Sequence, residues 1–326
     1  MMTTIKMHSE LLTPNFLSLS AKLGQDPLQV QGAGGNTSIK NTDVMWIKAS
    51  GTQLAHAQDQ DIFIPVSRAA AVAQLMDEEN HGQTVILDPS SSLRPSIEMT
   101  FHAALDYPVV IHTHSVNTLV HAISPQGLAA CQEKLAGLSF ALVPYVKPGL
   151  PLTKEIMAHV NPATNVIVLQ NHGLICCGAS VQEVADLLNK VEERLAMPPR
   201  KITPEIINEK PPTGFAWAQE GWIAHDSRAY GHATNGSYYP DHVVFLGPAL
   251  PGRDHDNKPP AIIHKDKGVA LRHEATAAQK AMLRCLADVL SRLPDEWDTT
   301  PIRAEAEAEL LNWDAEKYRQ ALARGS

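Results

Sequence analysis

The stretch Val109-Val110-Ile111-His112-Thr113-His114-Ser115 runs from three β-branched or aliphatic strand-forming residues straight into two histidines that are two positions apart. Such residues favour a strand. Side chains alternate between the two faces of a strand, so His112 and His114 should point to the same side. Two imidazoles on one face at the end of a buried strand form half of a transition-metal site. The alternative is that both are ordinary polar residues of a half-buried strand.

A third histidine follows a second run of β-branched residues. His172 comes after Val166-Ile167-Val168-Leu169-Gln170, in a turn where Asn171 and Gly173 relax the backbone. Because two histidines alone make a weak site, His172 is the best candidate for the third ligand.

The composition limits the classes of protein to consider. The chain has 326 residues, enough for one large domain or two ordinary ones, and a formal net charge of −8 that offers no basic surface to nucleic acid. No apolar run approaches the ~20 residues that span a bilayer. Met1–Glu10 has no apolar core of the signal-peptide kind, and the four cysteines show neither zinc-knuckle spacing nor a disulfide framework. We therefore expect a cytoplasmic protein without nucleic-acid or membrane partners.

Apolar periodicity predicts helices interleaved with short strands. Helices are expected at 8–24, 67–79, 96–105, 115–123, 153–160 and 181–196, and strands at 43–50, 62–66, 109–114, 138–145, 166–170 and 174–177. Since tight turns join several neighbouring strands, these elements predict an α/β layered domain with a largely antiparallel or mixed sheet.

The character of the chain changes near residue 200. Five prolines fall within residues 198–214, which indicates a linker or a wrapping segment. We therefore divide the chain into a domain of residues 1–200 and an extension of residues 201–326. The extension is expected to hold a strand in Tyr239–Pro248, a helix over 275–293 and one or two helices near its end.

Two loops carry groups suited to an anion. Glycines precede the cluster Asn36-Thr37-Ser38, and such a loop can bring backbone N–H groups and short hydroxyl side chains close to an anion. A plain hairpin turn explains the same residues. Lys48, Ser50 and Gly51 stand at the end of the next predicted strand, where they are again well placed for an anion.

A serine and a glutamate open the predicted helix 96–105. Ser96 is a natural N-cap. Glu98 would sit in the first turn, where the helix dipole favours a carboxylate, so its presence needs no catalytic role.

Taken in order, five motifs resemble the class II aldolase/adducin family. They are Gly34-Gly35-Asn36-Thr37-Ser38, Lys48-Ala49-Ser50-Gly51, Ser96-Ile97-Glu98 with His102, His112-Thr113-His114-Ser115, and Gln170-Asn171-His172-Gly173-Leu174-Ile175. The resemblance covers about residues 8–198. The rest is similar to the longer members, among them the aldolase halves of bifunctional aldolase–dehydrogenases; no Gly-x-x-x-Gly-x-Gly loop follows a strand, so we expect no dehydrogenase half. The fold implied is an α/β/α layered domain with a largely antiparallel central sheet, plus a C-terminal α/β extension.

The resemblance also implies roles for particular residues. His112, His114 and His172 would bind Zn²⁺ or another divalent metal, and Glu98 would be the catalytic acid/base. The positions that would hold a substrate phosphate are Asn36, Ser50, Gly51 and Ser96, with Thr37 and Lys48 beside them. The reaction implied is retro-aldol cleavage of a ketose phosphate or related sugar acid through a metal-stabilised enediolate.

Two departures from the family pattern affect the site. The family often has a second serine directly before the glutamate, and Ile97 stands here, which alters the anion site unless Lys48 compensates. The family's proton-donor tyrosine is absent from Leu138–Leu142. Either another tyrosine takes its place, with Tyr145, Tyr230, Tyr238 and Tyr239 as the candidates, or the reaction needs no such donor.

The resemblance implies a homo-oligomer, with a tetramer favoured, because the site of the phosphate aldolases lies at a subunit boundary. The segment Tyr230–Tyr239 is too polar for a core, which predicts that it folds over a metal site. The alternative is that the extension only buries subunit surface, through Leu283, Leu286, Leu290 and Trp313.

Three functions remain open at this point. A zinc-dependent aldolase comes first, and an epimerase, dehydratase or decarboxylase acting on a sugar phosphate comes second. A glutamate rather than an aspartate at position 98 disfavours the epimerase. The third, a non-catalytic interaction module like adducin, predicts loss of the metal histidines, and all three are present.

Overall fold

The computed structural model of the protein describes residues 6–76, 86–202 and 209–324. The end of the predicted helix 67–79 and residues 203–208 of the proline-rich segment lie outside the described residues. Of the helices that are described, none is both long enough and apolar enough to cross a membrane.

Within the described residues, strands and helices alternate through most of the chain. The strands are β1 (Asn36–Lys40), β2 (Val44–Lys48), β3 (Phe63–Ser67), β4 (Val109–Thr113), β5 (Phe140–Val143), β6 (Val166–Leu169), β7 (Gly173–Gly178), β8 (Phe215–Trp217), β9 (Ala261–His264) and β10 (Gly268–Arg272). The helices are α1 (Pro14–Gln25), α2 (Arg68–Ala73), α3 (Met99–Ala104), α4 (Val116–Ala122), α5 (Pro125–Lys134), α6 (Leu150–His159), α7 (Val181–Leu195), α8 (Ser227–Thr234), α9 (Pro240–Leu246), α10 (Ala277–Arg292), α11 (Ala304–Asn312) and α12 (Asp314–Arg324).

The chain divides into two compact units. The first contains Met1–Ser115 and Lys134–Arg194, and the second contains Val116–Glu133 and Leu195–Ser326. The passage between them after Arg194 lies close to the division we placed at residue 200. The segment Val116–Glu133, which holds α4 and most of α5, belongs to the second unit although it precedes that division.

The first unit is built on a seven-stranded sheet with the order β3-β2-β1-β4-β7-β6-β5. Neighbouring strands are antiparallel except for β5 and β6, which run parallel. The predicted α/β domain with a largely antiparallel central sheet is therefore confirmed.

One edge of this sheet collects the strand ends that carry the candidate site. β1 begins there at Asn36, which pairs with His112 near the end of β4. β7 begins there at Gly173, opposite Leu169 at the end of β6. Since β5 runs parallel to β6, the residues that follow Val143 reach the same edge.

Helices cover both faces of the sheet. Helices α3 and α6 contribute Phe101 and Ile156 to a buried cluster with Val110 and Ile175 of the sheet. On the other face α1 packs its Phe16 ring 5.1 Å from the ring of Phe63. Burial of each large apolar side chain stabilises the fold by about 1.5–3 kcal/mol.

The second unit has its own core around helix α10. Thr276 and Gln279 form a capping box at its start, in which each side chain accepts a hydrogen bond from the backbone N–H of the other. Helices α4, α8 and α9 pack against α10. A three-stranded antiparallel sheet with the order β8-β10-β9, which we had not predicted, completes the unit.

Three predicted elements differ from the structure. The strand expected in Tyr239–Pro248 is wrong: Pro240–Leu246 is the helix α9, with Pro240 in its first turn and Gly247 at φ 91° after its end. All seven of its residues are buried, so no polar face reveals the helical period. The first helix begins at Pro14 rather than residue 8, because Thr13 caps it. Ser96 does not cap α3; the N-cap is Glu98.

Gly173 permits the close approach of β7 to β4. A Cβ atom there would lie 2.3 Å from the carbonyl oxygen of Thr113 and 3.3 Å from Cε1 of His112. A side chain at this position therefore has to push the strand carrying Thr113 away from β7, next to the paired histidines.

We expect Gly173→Ala to lower the free energy of unfolding by about 1–3 kcal/mol, the usual cost of overpacking. Urea unfolding followed by circular dichroism measures the change. Gly231→Ala is the matched control, because a Cβ in that helix meets nothing within 4 Å. Equal stability of Gly173→Ala and the parent protein would contradict the close approach.

Candidate metal centre

Three histidines meet at the sheet edge. His112 lies on β4, His114 follows β4 directly, and His172 lies in the turn between β6 and β7. All three are buried, and one ring nitrogen from each lies within 4.8 Å of the others. The ring centroid of His112 is 5.0 Å from that of His114 and 5.0 Å from that of His172.

The backbone fixes the orientation of the His112 ring and the position of His172. Nδ1 of His112 lies 3.1 Å from the carbonyl oxygen of Leu174. A carbonyl only accepts, so Nδ1 carries the proton and Nε2 keeps its lone pair for a ligand bond. His172 is presented by a turn in which Asn171 takes the left-handed conformation at φ 52°, as its residue type allows.

Glu98 borders the histidine cluster. Its Oε1 lies 3.3 Å from Nε2 of His172, and its Oε2 lies 3.5 Å from Nε2 of His112. Burial by itself raises the pKa of the Glu98 carboxyl. The charges of His112 and His172 and a hydrogen bond from Asn36 outweigh burial and lower that pKa to about 2. Glu98 is thus a carboxylate beside the donor atoms, which its place at a helix start alone does not explain.

This donor set fits a divalent metal. A bound ion displaces any proton from the ligand nitrogens, and three imidazoles then supply nitrogen ligands suited to zinc and leave a further coordination position open. Among the described residues, it is the one group of three His, Cys, Asp or Glu side chains close enough together to hold an ion.

A series of buried polar side chains joined by hydrogen bonds lies behind Glu98. Nδ2 of Asn36 donates to Oε2 of Glu98 at 2.8 Å and to Oγ of Ser96 at 3.2 Å. Oδ1 of Asn36 bonds Nε2 of His102, whose Nδ1 lies 2.7 Å from Oγ of Ser38. The sequence alone assigns no role to His102, because nothing in it indicates that this residue faces Asn36.

Three loop segments meet beside these hydrogen-bonded side chains. The backbone N–H of Ser50 donates to the carbonyl of Arg94, and that of Ser96 donates to the carbonyl of Lys48. Nζ of Lys48 donates to the carbonyls of Ala33 and Thr52, so the buried ammonium ties the glycine loop to the turn with Ser50 and Gly51.

Two predicted anion-site side chains point elsewhere. Thr37 follows Asn36 on β1, so its side chain lies on the opposite face, where Oγ1 lies 2.8 Å from Oγ of Ser20 on α1. Because Ser38 pairs with Ile47, the side chain of Lys48 lies on that same face. The structure thus joins Asn36 to Ser96 and leaves the Thr37 hydroxyl and the Lys48 ammonium on the other side of the sheet.

The four tyrosines occupy different surroundings. Tyr145 follows β5 in the first unit, while Tyr230, Tyr238 and Tyr239 belong to the second unit. The expectation that Tyr230–Tyr239 is too polar for a core is wrong for its last two residues, which are buried. Tyr238 donates its hydroxyl to the carbonyl of His232, and burial raises the pKa of Tyr239 well above its usual value. Aromatic rings are readily buried once their hydroxyls have a partner.

Comparison with known proteins identifies the family. Residues 17–197 match the profile of the Class II Aldolase and Adducin N-terminal domain. The chain belongs to the class II aldolase and adducin family. The histidines, Glu98 and the loops described above all lie inside this class II aldolase region.

The relatives of this class II aldolase family member are named for different activities. The chain is 30% identical over 192 residues to the uncharacterized oxidoreductase YuxG of Bacillus subtilis (strain 168), a match covering 52% of this chain and 28% of that protein. It is 26% identical over 186 residues to the L-fuculose phosphate aldolase of Methanocaldococcus jannaschii, covering 54% of this chain and 88% of the relative. It is 28% identical over 118 residues to the 3-oxo-tetronate 4-phosphate decarboxylase of Escherichia coli O6:H1, a match that covers 31% of this chain and 53% of the relative.

We expect about one divalent metal per chain after loading with zinc, and we expect His172→Ala to weaken zinc binding by at least about 100-fold, since even partners outside the ligand shell cost ~10–100-fold. Metal analysis by mass spectrometry after dialysis, together with competition against a chelator, measures both. His159→Ala, which changes a histidine on α6 outside the cluster, is the control and should bind zinc normally. Full zinc retention by His172→Ala would exclude the triad.

Proposed function

We propose that this protein is a metal-dependent carbon–carbon lyase, a class II aldolase that cleaves a ketose phosphate or related sugar acid. The observation that carries the proposal is the carboxylate of Glu98 within 3.5 Å of ring nitrogens from two members of a histidine triad. A metal-ligand set beside a buried carboxylate combines an electrophile with a proton-transfer group.

Different residues of the chain have different roles in the proposed retro-aldol cleavage. When bound by the three histidines, zinc or another divalent ion would act as a Lewis acid toward the substrate carbonyl and its neighbouring hydroxyl. Glu98 is the group that moves the proton on the carbon next to the carbonyl, since its carboxylate is ionised and desolvated. Asn36 holds one carboxylate oxygen, Oε2, by a hydrogen bond.

The loops beside Glu98 support an anionic substrate group. Ser96 Oγ accepts hydrogen bonds from Asn36 Nδ2 and from the backbone N–H of Glu98, so its own hydroxyl hydrogen can point at an anion. The side chain of Lys48 lies on the opposite face of the sheet, where its ammonium holds two loops by donating to the carbonyls of Ala33 and Thr52. We assign Ser50, Gly51 and Ser96 to binding of the anionic group of the substrate. Asn36 and Lys48 hold the loops in place.

Tyr145 is our candidate for the proton donor to the leaving aldehyde. The backbone N–H of Gln170 donates to the carbonyl of Val143, which ties the end of β5 to the segment that leads to His172. Tyr145 follows two residues later at the sheet edge that carries the triad. Tyr238 has its hydroxyl partner inside the second unit instead, and Tyr239 is buried there.

The family resemblance also supports a homo-oligomer, with a tetramer favoured. The second unit then has two candidate roles, which are to bury subunit surface and to supply groups to a site. Leu283, Leu286 and Leu290 of α10 are already buried within the single chain, so the expectation that they cover a neighbouring subunit is wrong.

A second candidate function is decarboxylation of a sugar-acid phosphate. The match to 3-oxo-tetronate 4-phosphate decarboxylase favours it. Loss of CO₂ next to a carbonyl leaves an electron pair on the same carbon as retro-aldol cleavage does, so the same metal and carboxylate serve both reactions. An adducin-like module without catalysis does not account for the buried triad with Glu98 beside it.

The assay that tests the function is a panel of phosphorylated ketoses and 3-oxo sugar acids offered to the zinc-loaded protein. We expect dihydroxyacetone phosphate from at least one ketose 1-phosphate, and a Glu98→Gln variant slower by about 10²–10⁴-fold with its zinc content unchanged. Release of CO₂ alone would select the decarboxylase. No product from any member, or near-normal turnover by Glu98→Gln, would contradict the proposal.

For the proton donor, we expect Tyr145→Phe to reduce kcat by about 10²-fold, the lower range for a general acid, with zinc content unchanged. Tyr230→Phe removes a hydroxyl from the second unit. Steady-state kinetics on the cleaved ketose phosphate measure both, and Tyr107→Phe, which removes a hydroxyl that donates to the carbonyl of Pro162, is the variant expected to keep normal kcat; a loss in Tyr230→Phe instead would assign the donor to the second unit. Normal kcat for Tyr145→Phe would remove this tyrosine from the mechanism.

A further inference from the structure

His102 lies behind the candidate metal centre and outside its ligand set. The residue sits on α3, is fully buried, and stacks on the ring of Phe101 with centroids 4.5 Å apart. Its two ring nitrogens face Asn36 and Ser38, which project from the same face of β1. A buried imidazole held on both nitrogens has one orientation, so its protons can be assigned.

The assignment starts from Glu98. The atom of Asn36 that faces Oε2 of Glu98 is Nδ2, which donates to it at 2.8 Å. The second hydrogen of that amide goes to Oγ of Ser96. The other end of the amide, Oδ1, then faces Nε2 of His102, and because an amide oxygen cannot donate, Nε2 must carry a proton.

The other ring nitrogen completes the order of donors. Burial and the charge of Lys40 lower the pKa of His102 well below its usual value, so the ring is neutral. With the proton on Nε2, Nδ1 is an acceptor and takes the hydroxyl hydrogen of Ser38 at 2.7 Å. Donation therefore runs in one direction, from Ser38 through His102 and Asn36 to Glu98.

We propose that His102 is a positioning residue that locks the side-chain amide of Asn36 in the one orientation that lets Nδ2 hold Oε2 of Glu98. An amide rotated by half a turn would set Oδ1 against the carboxylate, oxygen against oxygen, and release Glu98. The inference rests on the proposed function in one respect, because Glu98 is there the group that moves the proton. It gives a buried histidine outside the metal site a defined part in the chemistry.

The competing explanation is that His102 only fills space under the sheet. The two explanations differ in what a replacement must provide. A space-filling histidine is replaced equally well by any side chain of similar length, whereas a positioning histidine needs an N–H at the place of Nε2. Glutamine carries an amide N–H at about that place and methionine does not, and the two side chains are similar in length.

The test compares His102→Gln with His102→Met in the full-length, zinc-loaded protein. We expect the Met variant to lose about 10–100-fold in kcat, as for loss of a group that orients a reacting residue, while KM changes by less than about threefold. The Gln variant should recover most of that loss. Zinc content should be unchanged in both, since the contacts of His102 are with Asn36, Ser38 and Phe101 rather than with the triad. Equal kcat in the two variants, at equal zinc content, would overturn the proposal.

The protonation of the two ring nitrogens of His102 can also be measured without turnover. In ¹⁵N-histidine-labelled protein, we expect His102, assigned by its absence from the spectrum of His102→Gln, to show a protonated Nε2 and an unprotonated Nδ1. A protonated Nδ1 overturns the proposal. Lack of cleavage by the parent protein on every substrate instead counts against the proposed function, and the tautomer then still decides whether the order of donors is right.

Discussion

The site depends on the antiparallel pairing of β1 with β4 and of β4 with β7. This register sets Asn36 opposite His112, and His112 opposite Ile175 two residues into β7. Shifting any of these strands by one residue would turn its side chains to the opposite face. Glycine keeps the strands close, since a Cβ at Gly35 would lie 2.9 Å from the carbonyl of His112, and one at Gly173 still closer to the carbonyl of Thr113.

Burial of so many polar groups at one sheet edge needs compensation. A buried carboxylate costs several kcal/mol unless opposite charge and hydrogen bonds accompany it. Glu98 has two imidazoles beside it and an amide N–H on Oε2. Lys40, at the far end of the same face of β1, shows the opposite case: burial lowers its pKa to about 7. The proposed metal site and the proposed proton-transfer group thus share one polar interior.

Much of this arrangement follows from local sequence patterns. Alternation along β4 puts His112 and His114 on one face, and the Asn171-His172-Gly173 turn indicates the third ligand without knowledge of the fold. The part that could not be predicted depends on contacts between distant residues. His102 meets Ser38 and Asn36, which are 64 and 66 positions away, only because α3 lies over β1. In the second unit, the helix α9 is buried on every side, so the run Val243-Val244-Phe245-Leu246 is indistinguishable from a buried strand by periodicity.

The central claim is that three histidines form a catalytic-type metal site. Zinc K-edge X-ray absorption on the zinc-loaded full chain tests it most directly. The account predicts three imidazole nitrogens at about 2.0–2.1 Å, a further light-atom ligand and no sulfur. Sulfur scattering at about 2.3 Å, or fewer than three imidazoles around the ion, would contradict it.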